Sequence, residues 1–437
     1  MTAITMDEAL DRAGAGRYQR RLMGIFGLVW TADAMQVLAV GFTAASIAAT
    51  FGLTVPQALQ TGTLFFLGML IGAIGFGRLA DRIGRRRVLI VTVACDALFG
   101  TLSVFAPNFE ILLVLRFLTG AAVGGTLPVD YAMMAEFLPA KNRGRWLVLL
   151  EGFWAVGTLI VALAAWAASL AGLADAWRYI FAVTAIPALA GIGLRFLVPE
   201  SPLYLMRSGR IEEAKAIVDR MLAVNGQPRL AADVSLISPA PVKAAGIFSG
   251  ELRQRSIMIL AIWFLVSVSY YGVFTWMPAK LAGDGFGFVR GYGFLVLVAL
   301  AQIPGYALAA YGVEKWGRKP TLVGFCLLSA VGCLLFVLAP SAALIGAALL
   351  LMSFALLGTW GALYAYTPEL YPTTSRATGM GAAGAMARLG GLLAPSLVGY
   401  VVVQGLGLTI GIFAGLLVLA AIAGAMINAE TRQASLT

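Results

Sequence analysis

Long apolar segments, separated by shorter polar ones, dominate the chain. Twelve of these segments are long enough for the about 20 helical residues that a lipid bilayer requires, so the pattern predicts twelve transmembrane helices. They are expected at residues 21–49, 58–80, 87–106, 110–137, 146–171, 177–198, 256–280, 289–312, 319–339, 341–366, 376–404 and 407–428. The predicted fold class is therefore an all-α membrane protein.

One polar interruption is much longer than the others and divides the segments into six and six. It covers residues 199–255 and contains five prolines. Two six-helix halves are therefore expected at 1–198 and 256–437, joined by this linker. Within the linker, residues 211–222 (IEEAKAIVDRML) place their apolar side chains at helical spacing, which predicts a short amphipathic helix on the membrane surface.

The distribution of basic residues predicts the orientation of these helices. If both termini are cytoplasmic, the inner segments contain 25 of the 31 Lys and Arg residues and the outer loops contain 3. The remaining three, Arg116, Arg195 and Arg388, lie inside apolar segments. Because cytoplasmic loops are enriched in Lys and Arg, we expect a multi-pass protein of the bacterial inner membrane with both termini and the linker in the cytoplasm.

Composition argues against several classes of protein. Of the 437 residues, 60% are hydrophobic and 12% are charged, whereas soluble domains have about 45–50% and about 25%. A soluble enzyme, a disordered chain and a nucleic-acid binder are disfavoured. The chain has no His, which excludes a histidine metal site, and no GxxxxGK[ST] phosphate loop, which argues against ATP-driven transport. We expect no cofactor and no metal, and the lipid bilayer as a partner.

A polar loop motif occurs twice, once in each half. Residues 77–87 read GRLADRIGRRR and residues 310–319 read AYGVEKWGRK. The residues that correspond under a shift of 233 positions are Gly84 with Gly317, Arg85 with Arg318, and Asp81 with Glu314. Matching loops in two six-helix halves imply a pseudo-twofold axis along the membrane normal.

These loops and other motifs resemble those of the major facilitator superfamily. Residues 77–87 resemble its signature loop, and 116–124 (RFLTGAAVG) resemble its fourth-helix motif. Segments that resemble the inner-loop motifs of sugar porters and organic-ion transporters are 136–144 (EFLPAKNRG), 199–202 (PESP), and 368–372 (PELYP) with Arg376. The resemblance covers nearly the whole chain and implies a secondary transporter that works by alternating access, expected as a monomer.

The first predicted helix gives a finer resemblance. Residues 30–37 (WTADAMQV) are similar to the first helix of bacterial nicotinate transporters and related metabolite:proton symporters, many of which carry a second acid where this chain has Gln36. The resemblance implies a small organic anion as substrate, with nicotinate or another aromatic monocarboxylate as first choice, and protons as coupling ions. A neutral or sugar-like substrate and an organic cation are the alternatives. A membrane-embedded enzyme and a non-transporting receptor on the same fold are the rival classes.

Charged residues within the apolar segments are candidates for proton coupling, because a charge in the bilayer is costly. Asp33 is 12 residues into the first segment, about 18 Å deep at 1.5 Å per residue, and the resemblance makes it the coupling acid. Asp130 follows Arg116 by 14 residues, so both can line one cavity. The alternative is a structural Asp33–Arg116 pair. Asp96 and Glu151 fit a structural role better.

Arg388 is the first candidate for substrate binding. It lies 12 residues into the eleventh segment, and its guanidinium group can hold a carboxylate through two hydrogen bonds. The alternative is a partner acid from another helix. Tyr271, Trp360 and Tyr364 are candidates for walls around an aromatic ring, although such residues also face lipid. Gln302 is a candidate hydrogen-bond partner for a ring nitrogen or hydroxyl group, and Arg116 completes the predicted substrate set.

Charges in the inner loops are candidates for gating. Pairs that form in one conformation and separate in another shift the equilibrium by their differential energy. The expected pairs in the first half are Asp81 with Arg85 and Glu136 with Arg143. The corresponding candidates in the second half are Glu314, Arg318, Glu369 and Arg376. The alternative is that these charges only determine topology.

Overall fold

The computed structural model describes residues 2–139, 143–231, 234–237, 246–250, 252–283, 291–401 and 405–431. The first half contains α1 Met6–Ala13, α2 Arg17–Phe51, α3 Val55–Ala58, α4 Gln60–Ile83, α5 Arg85–Val104, α6 Phe109–Ala135, α7 Arg143–Leu170 and α8 Ala176–Arg195. The linker contains α9 Pro202–Arg207 and α10 Ile211–Val224. The second half contains α11 Leu252–Gly283, α12 Tyr292–Leu300, α13 Gln302–Lys315, α14 Arg318–Leu338, α15 Ala342–Tyr366, α16 Thr373–Val401 and α17 Leu406–Met426.

The long helices confirm the predicted fold class. In the described part of the chain, eleven helical stretches are long and apolar enough to cross a membrane, and α16 supplies another helix of 29 residues. A helix satisfies all of its backbone hydrogen bonds within one segment, which the bilayer interior requires. The molecule is an all-α membrane protein with twelve transmembrane helices in two halves, α12 and α13 together forming the eighth.

The eighth transmembrane helix is interrupted between α12 and α13. Pro304 has no backbone N–H group to bond the carbonyl group of Leu300, four residues earlier. The helix accordingly ends at Leu300 and begins again at Gln302. This interruption, which the sequence pattern did not predict, leaves Gln302 at the first position of α13.

Helices α4 and α6 are in contact along their backbones. A Cβ atom added to Gly72 would lie 1.9 Å from the carbonyl oxygen of Ala121, and one added to Gly120 would lie 2.0 Å from that of Phe65. Small residues permit such close helix approach in membranes. Gly72 and Gly120 therefore belong to a packing surface between these two helices.

The first residues of the chain are attached to the linker. A strand β1, Thr2–Thr5, pairs in parallel with β2, Val234–Ile237. The Nδ2 atom of Asn225 donates to the carbonyl oxygen of Ala13 at 2.9 Å. Helix α10 buries its apolar face against protein, including Val218 and Met221. The helix was correctly predicted, but this face does not lie on the membrane surface, because the linker and the N-terminal segment cover it.

The two halves meet along several helix pairs. Helix α2 packs against α11, α4 against α16, and α7 against α12, α13 and α15. The side chains between these pairs form the interior of the molecule, where the predicted site residues lie.

Candidate substrate and proton site

Arg388 is a buried cation in α16 with spare hydrogen-bonding capacity. Its Nη1 atom donates to the carbonyl oxygen of Gly384 in the same helix at 2.7 Å, and its Nε atom has no partner. Among the described residues, no carboxylate oxygen lies within 4.0 Å of the guanidinium nitrogens. The alternative ion pair is therefore not formed in this part of the chain, and the group can accept an anionic ligand.

The three predicted aromatic residues lie together beside Arg388. The ring centroids of Tyr271 and Trp360 are 6.5 Å apart, and those of Trp360 and Tyr364 are 5.9 Å apart. Trp263 packs edge-on against Trp360 at 5.3 Å. Tyr271 and Tyr364 both interact electrostatically with Arg388. The second half thus presents one cation next to a set of aromatic rings.

Aromatic residues of the first half complete this layer, and the sequence pattern did not single them out. Tyr131 packs against Tyr364 with ring centroids 5.3 Å apart, and Phe66 against Tyr271 at 4.6 Å. Trp154 donates a hydrogen bond from Nε1 to the hydroxyl group of Tyr270 at 2.8 Å. In the sequence, Trp154 lies close to the acid Glu151 in α7, and this could have indicated a site. The direction in which the two side chains point depends on the rotation of the helix, which the sequence does not give.

Two further buried polar side chains have atoms without hydrogen-bond partners, although the carboxylate of Glu151 also interacts with the side chain of Trp30. Neither amide atom of Gln302 has a partner, and the side chain is fully buried. Glu151 in α7 is 2% exposed, and its Oε1 atom has no partner. Because an unpaired buried polar group is costly, both are available for a ligand.

Asp33 lies in a cluster of charges within the first half. It is 1% exposed, and its Oδ2 atom has no hydrogen-bond partner. The charged groups with which it interacts electrostatically are Asp96, Asp130, Arg195 and Arg388. Among the residues that the structure describes, Asp33 therefore has no direct counter-ion, and it interacts electrostatically with both the acidic cluster of the first half and the cation of the second.

Asp130 has a direct counter-ion, which the sequence pattern did not identify. Arg195 of α8 forms a buried ion pair with it, and both side chains are almost fully inaccessible. The guanidinium group of Arg195 also lies 4.9 Å from the ring centroid of Phe26. The two predicted coupling acids thus differ: Asp130 is compensated and Asp33 is not.

Arg116 is held by Gln36 rather than by Asp33. Its Nη1 atom donates to Oε1 of Gln36 at 2.8 Å, and its Nη2 atom donates to the backbone oxygen of Gln36 at 2.7 Å. Its guanidinium carbon also lies 4.6 Å and 4.7 Å from the rings of Phe65 and Phe181. The alternative Asp33–Arg116 pair is wrong, and the neutral Gln36 explains how Arg116 can be buried without it.

The inner surface of the first half carries a charged network. Arg85 forms an ion pair with Glu136, and the hydroxyl group of Ser201 donates to the same carboxylate. Arg143 instead lies 3.6 Å from Asp7. The expected Glu136–Arg143 pair is not formed in this conformation, because Arg85 occupies that carboxylate, so it stays a prediction for another conformation. The side chain of Asp81 lies outside the described residues, so its pairing stays a prediction.

The second half repeats this network. Arg318 donates from Nε and Nη2 to Glu369 at 2.9 and 3.0 Å, and the hydroxyl group of Thr431 donates to the same carboxylate. Glu314 lies farther from Arg318, at 3.6 Å. Arg376 donates to the carbonyl oxygen of Pro368 at 2.9 Å. The network of Arg318, Glu369 and Thr431 matches that of Arg85, Glu136 and Ser201.

In each half, a further acidic residue near the inner network accepts a hydrogen bond from the backbone at the start of a helix, which is α5 in the first half and α14 in the second. Glu200 accepts from the backbone N–H of Arg86 at 3.2 Å, and Glu430 accepts from that of Arg318 at 2.9 Å. Gly84 and Gly317 precede these helices with φ of +100° and +109°, a region that favours glycine. The internal repeat, which was predicted from two loops, therefore also includes Glu200 and Glu430, although both are distant from those loops in the sequence.

Comparison with known proteins agrees with this architecture. The sequence model of the Major Facilitator Superfamily matches residues 22–395 and, in a second match, 293–434. The niacin transporter NiaP of Acinetobacter baylyi is 36% identical over 90% of each chain. The putative niacin/nicotinamide transporter NiaP of Bacillus subtilis is 35% identical over 96% of this chain and 98% of its own.

More distant proteins share the fold. The synaptic vesicle 2-related protein of Xenopus laevis is 30% identical over 98% of this chain and 81% of its own. A solved structure of the proton:xylose symporter XylE, bound to 6-bromo-6-deoxy-D-glucose, superposes with a TM-score of 0.76 over 96% of this chain and 98% of its own. Its sequence is only 20% identical, so the likeness is one of fold.

Proposed function

Because this chain belongs to the major facilitator superfamily of transporters, we propose that it carries a small aromatic monocarboxylate, with nicotinate as first choice, in symport with protons. It works by alternating access between the halves 1–198 and 256–437, joined by the linker 199–255. It acts as a monomer in the bacterial inner membrane, with both termini in the cytoplasm.

The environment of Arg388 carries the proposal. A buried guanidinium group with no carboxylate within ion-pair distance among the described residues favours an anion over a cation. Its fork of donors matches a planar carboxylate. Tyr271, Trp360 and Tyr364 beside it offer faces and edges to an aromatic ring. One relative is named a niacin transporter and another a putative niacin/nicotinamide transporter, which supports a pyridine carboxylate or a close derivative as the substrate class.

The remaining predicted residues have subsidiary roles in this proposal. Gln302 contributes a buried amide group to the site, and Arg116 fixes α6 against α2 through Gln36. Asp33 is the coupling acid, because a buried carboxyl group without a direct counter-ion can take up and release a proton. Asp130, already paired with Arg195, supports that cluster. The inner networks, with Asp81, Arg143, Glu314 and Arg376 at their edges, hold helix ends together during the conformational change.

Transport by purified protein in liposomes tests the proposal. Radiolabelled nicotinate should accumulate when a proton gradient is imposed and should only equilibrate without one. Excess unlabelled nicotinate should compete, whereas xylose and tetraethylammonium should not. Uptake of radiolabelled xylose or tetraethylammonium, with no uptake of nicotinate, would move the corresponding alternative substrate class to first place.

A further inference from the structure

Glu151 points toward the interface between the two halves. It lies three residues before Trp154 in α7, so the two side chains share one face of the helix. Trp154 donates its hydrogen bond to Tyr270 of the second half. Glu151 therefore faces the same interface one helical turn away, and it is buried there.

The groups around Glu151 are aromatic and neutral. The titratable groups that interact with it electrostatically come from four helices and are Tyr131, Tyr270, Tyr271, Tyr306 and Tyr364. In the described part of the chain, no Lys or Arg forms an ion pair with it. A buried carboxyl group without compensation either holds a proton or meets a polar ligand.

Arg388 and Glu151 share two tyrosine neighbours. Tyr271 and Tyr364 each interact electrostatically with both residues. One half thus contributes a cation without a carboxylate partner, and the other contributes an acid without a cationic partner. Two such groups beside one set of aromatic rings suit a ligand that has an anionic end, a flat ring and a second polar atom.

We propose that Glu151 is the second polar contact of the substrate site and forms a hydrogen bond to a ring nitrogen of the bound aromatic carboxylate. This inference rests on the proposed function, in which Arg388 holds the carboxylate. One proton shared between the Glu151 carboxyl group and the ring nitrogen satisfies both atoms. The site therefore selects pyridine carboxylates over benzene carboxylates.

Gln302 is the other buried group that can bind a ring nitrogen. Its amide atoms are also unpartnered, but the helical face that Glu151 shares with Trp154 bonds directly to Tyr270. Tyr270 in turn packs against Tyr271 and Trp360 with ring centroids 5.1 and 5.8 Å apart. Gln302→Leu is therefore the competing variant. Thr43→Val is the matched control, since it removes a buried hydroxyl group that bonds only within α2.

Binding of nicotinate and benzoate to the purified full-length protein tests the inference, because the two probes share the carboxylate and ring size. Wild type should bind nicotinate about tenfold more tightly, the scale of a buried hydrogen bond left unmade. Glu151→Leu should abolish this preference while leaving benzoate affinity nearly unchanged. Glu151→Gln, whose amide group still donates, should retain part of it, and the control Thr43→Val should retain all of it.

The other outcomes separate the two proposals. Equal affinity of wild type for both probes overturns the role of Glu151 but leaves carboxylate binding by Arg388 intact. Binding of neither probe overturns the proposed function and this inference with it. An equal loss of both probes in Glu151→Gln would show a structural role for Glu151. Loss of the preference in Gln302→Leu but not in Glu151→Leu would assign the ring nitrogen to Gln302.

Discussion

Buried charges in this protein differ in how each one is compensated. Asp130 has Arg195, and Arg116 has Gln36 and two aromatic rings. Removing one member of a buried ion pair leaves an uncompensated charge and costs about 3–5 kcal/mol, so these groups support the fold. Asp33 has no direct counter-ion, which makes it the better candidate for a group that changes charge during transport.

Asp33→Asn should separate proton coupling from substrate binding. The amide group keeps the size of the side chain but cannot exchange a proton. We expect the variant to lose nicotinate accumulation under a proton gradient while it still exchanges internal for external nicotinate. Both activities are measured in the same liposomes, so the exchange assay controls for folding. Wild-type accumulation in this variant would show that another group couples the proton.

The helical architecture was predictable because it depends on segment length and hydropathy alone. The segment predicted at 256–280, for example, appears as Leu252–Gly283. The interruption of the eighth helix was not predicted, because transmembrane helices often tolerate a proline such as Pro304. The pattern thus determines where helices lie but not every point at which they break.

Partners of the buried charges were less predictable. The pairs of Asp130 with Arg195 and of Arg116 with Gln36 join residues 65 and 80 positions apart. Finding them requires the rotational phase and packing of separate helices, which hydropathy in a uniformly apolar segment does not supply. Arg388 was a candidate from the sequence because a charge is unusual in an apolar helix, whereas Tyr and Trp are common in membrane helices and are weaker indicators of a site.

The close contact of α4 with α6 predicts opposite results for two glycines of one helix. A Cβ atom at Gly72 would overlap the backbone of Ala121, whereas one at Gly75 would meet nothing within 4 Å. Gly72→Ala should lower stability by about 1–3 kcal/mol, the usual cost of overpacking. Gly75→Ala should be neutral or slightly stabilising, since Ala favours a helix. Thermal unfolding in detergent measures both, and equal effects would contradict the packing described here.

The inner network of the second half offers another matched pair of variants. Glu369 accepts two hydrogen bonds from Arg318 and is 15% exposed, whereas Glu314 is 49% exposed and 3.6 Å away. Glu369→Gln should slow turnover several-fold while leaving equilibrium affinity within a few-fold, because the pair acts on the conformational equilibrium. Glu314→Gln should change little, since exposed pairs contribute little. Unchanged turnover in Glu369→Gln would indicate a role in topology alone.

At the scale of the whole molecule, each half contributes a different kind of group to one interior. The first half supplies the acids Asp33 and Glu151, and the second supplies the cation Arg388 and most of the aromatic layer. A ligand between them contacts both halves, so its binding and release are linked to their relative movement. The fold itself leaves the substrate open, because function depends on the site.

Binding of nicotinate and its amide, nicotinamide, to wild type and Arg388→Ala tests the central claim most directly. Losing a buried charge partner costs about 2–5 kcal/mol, roughly 30- to 4,000-fold in affinity, so the variant should lose measurable nicotinate binding. Arg388→Lys should restore it only in part, because the fork of donors is missing. Nicotinamide should bind wild type weakly and lose little more in Arg388→Ala. Equal affinity of wild type for the acid and the amide would contradict the account, because the site would then not recognise a carboxylate.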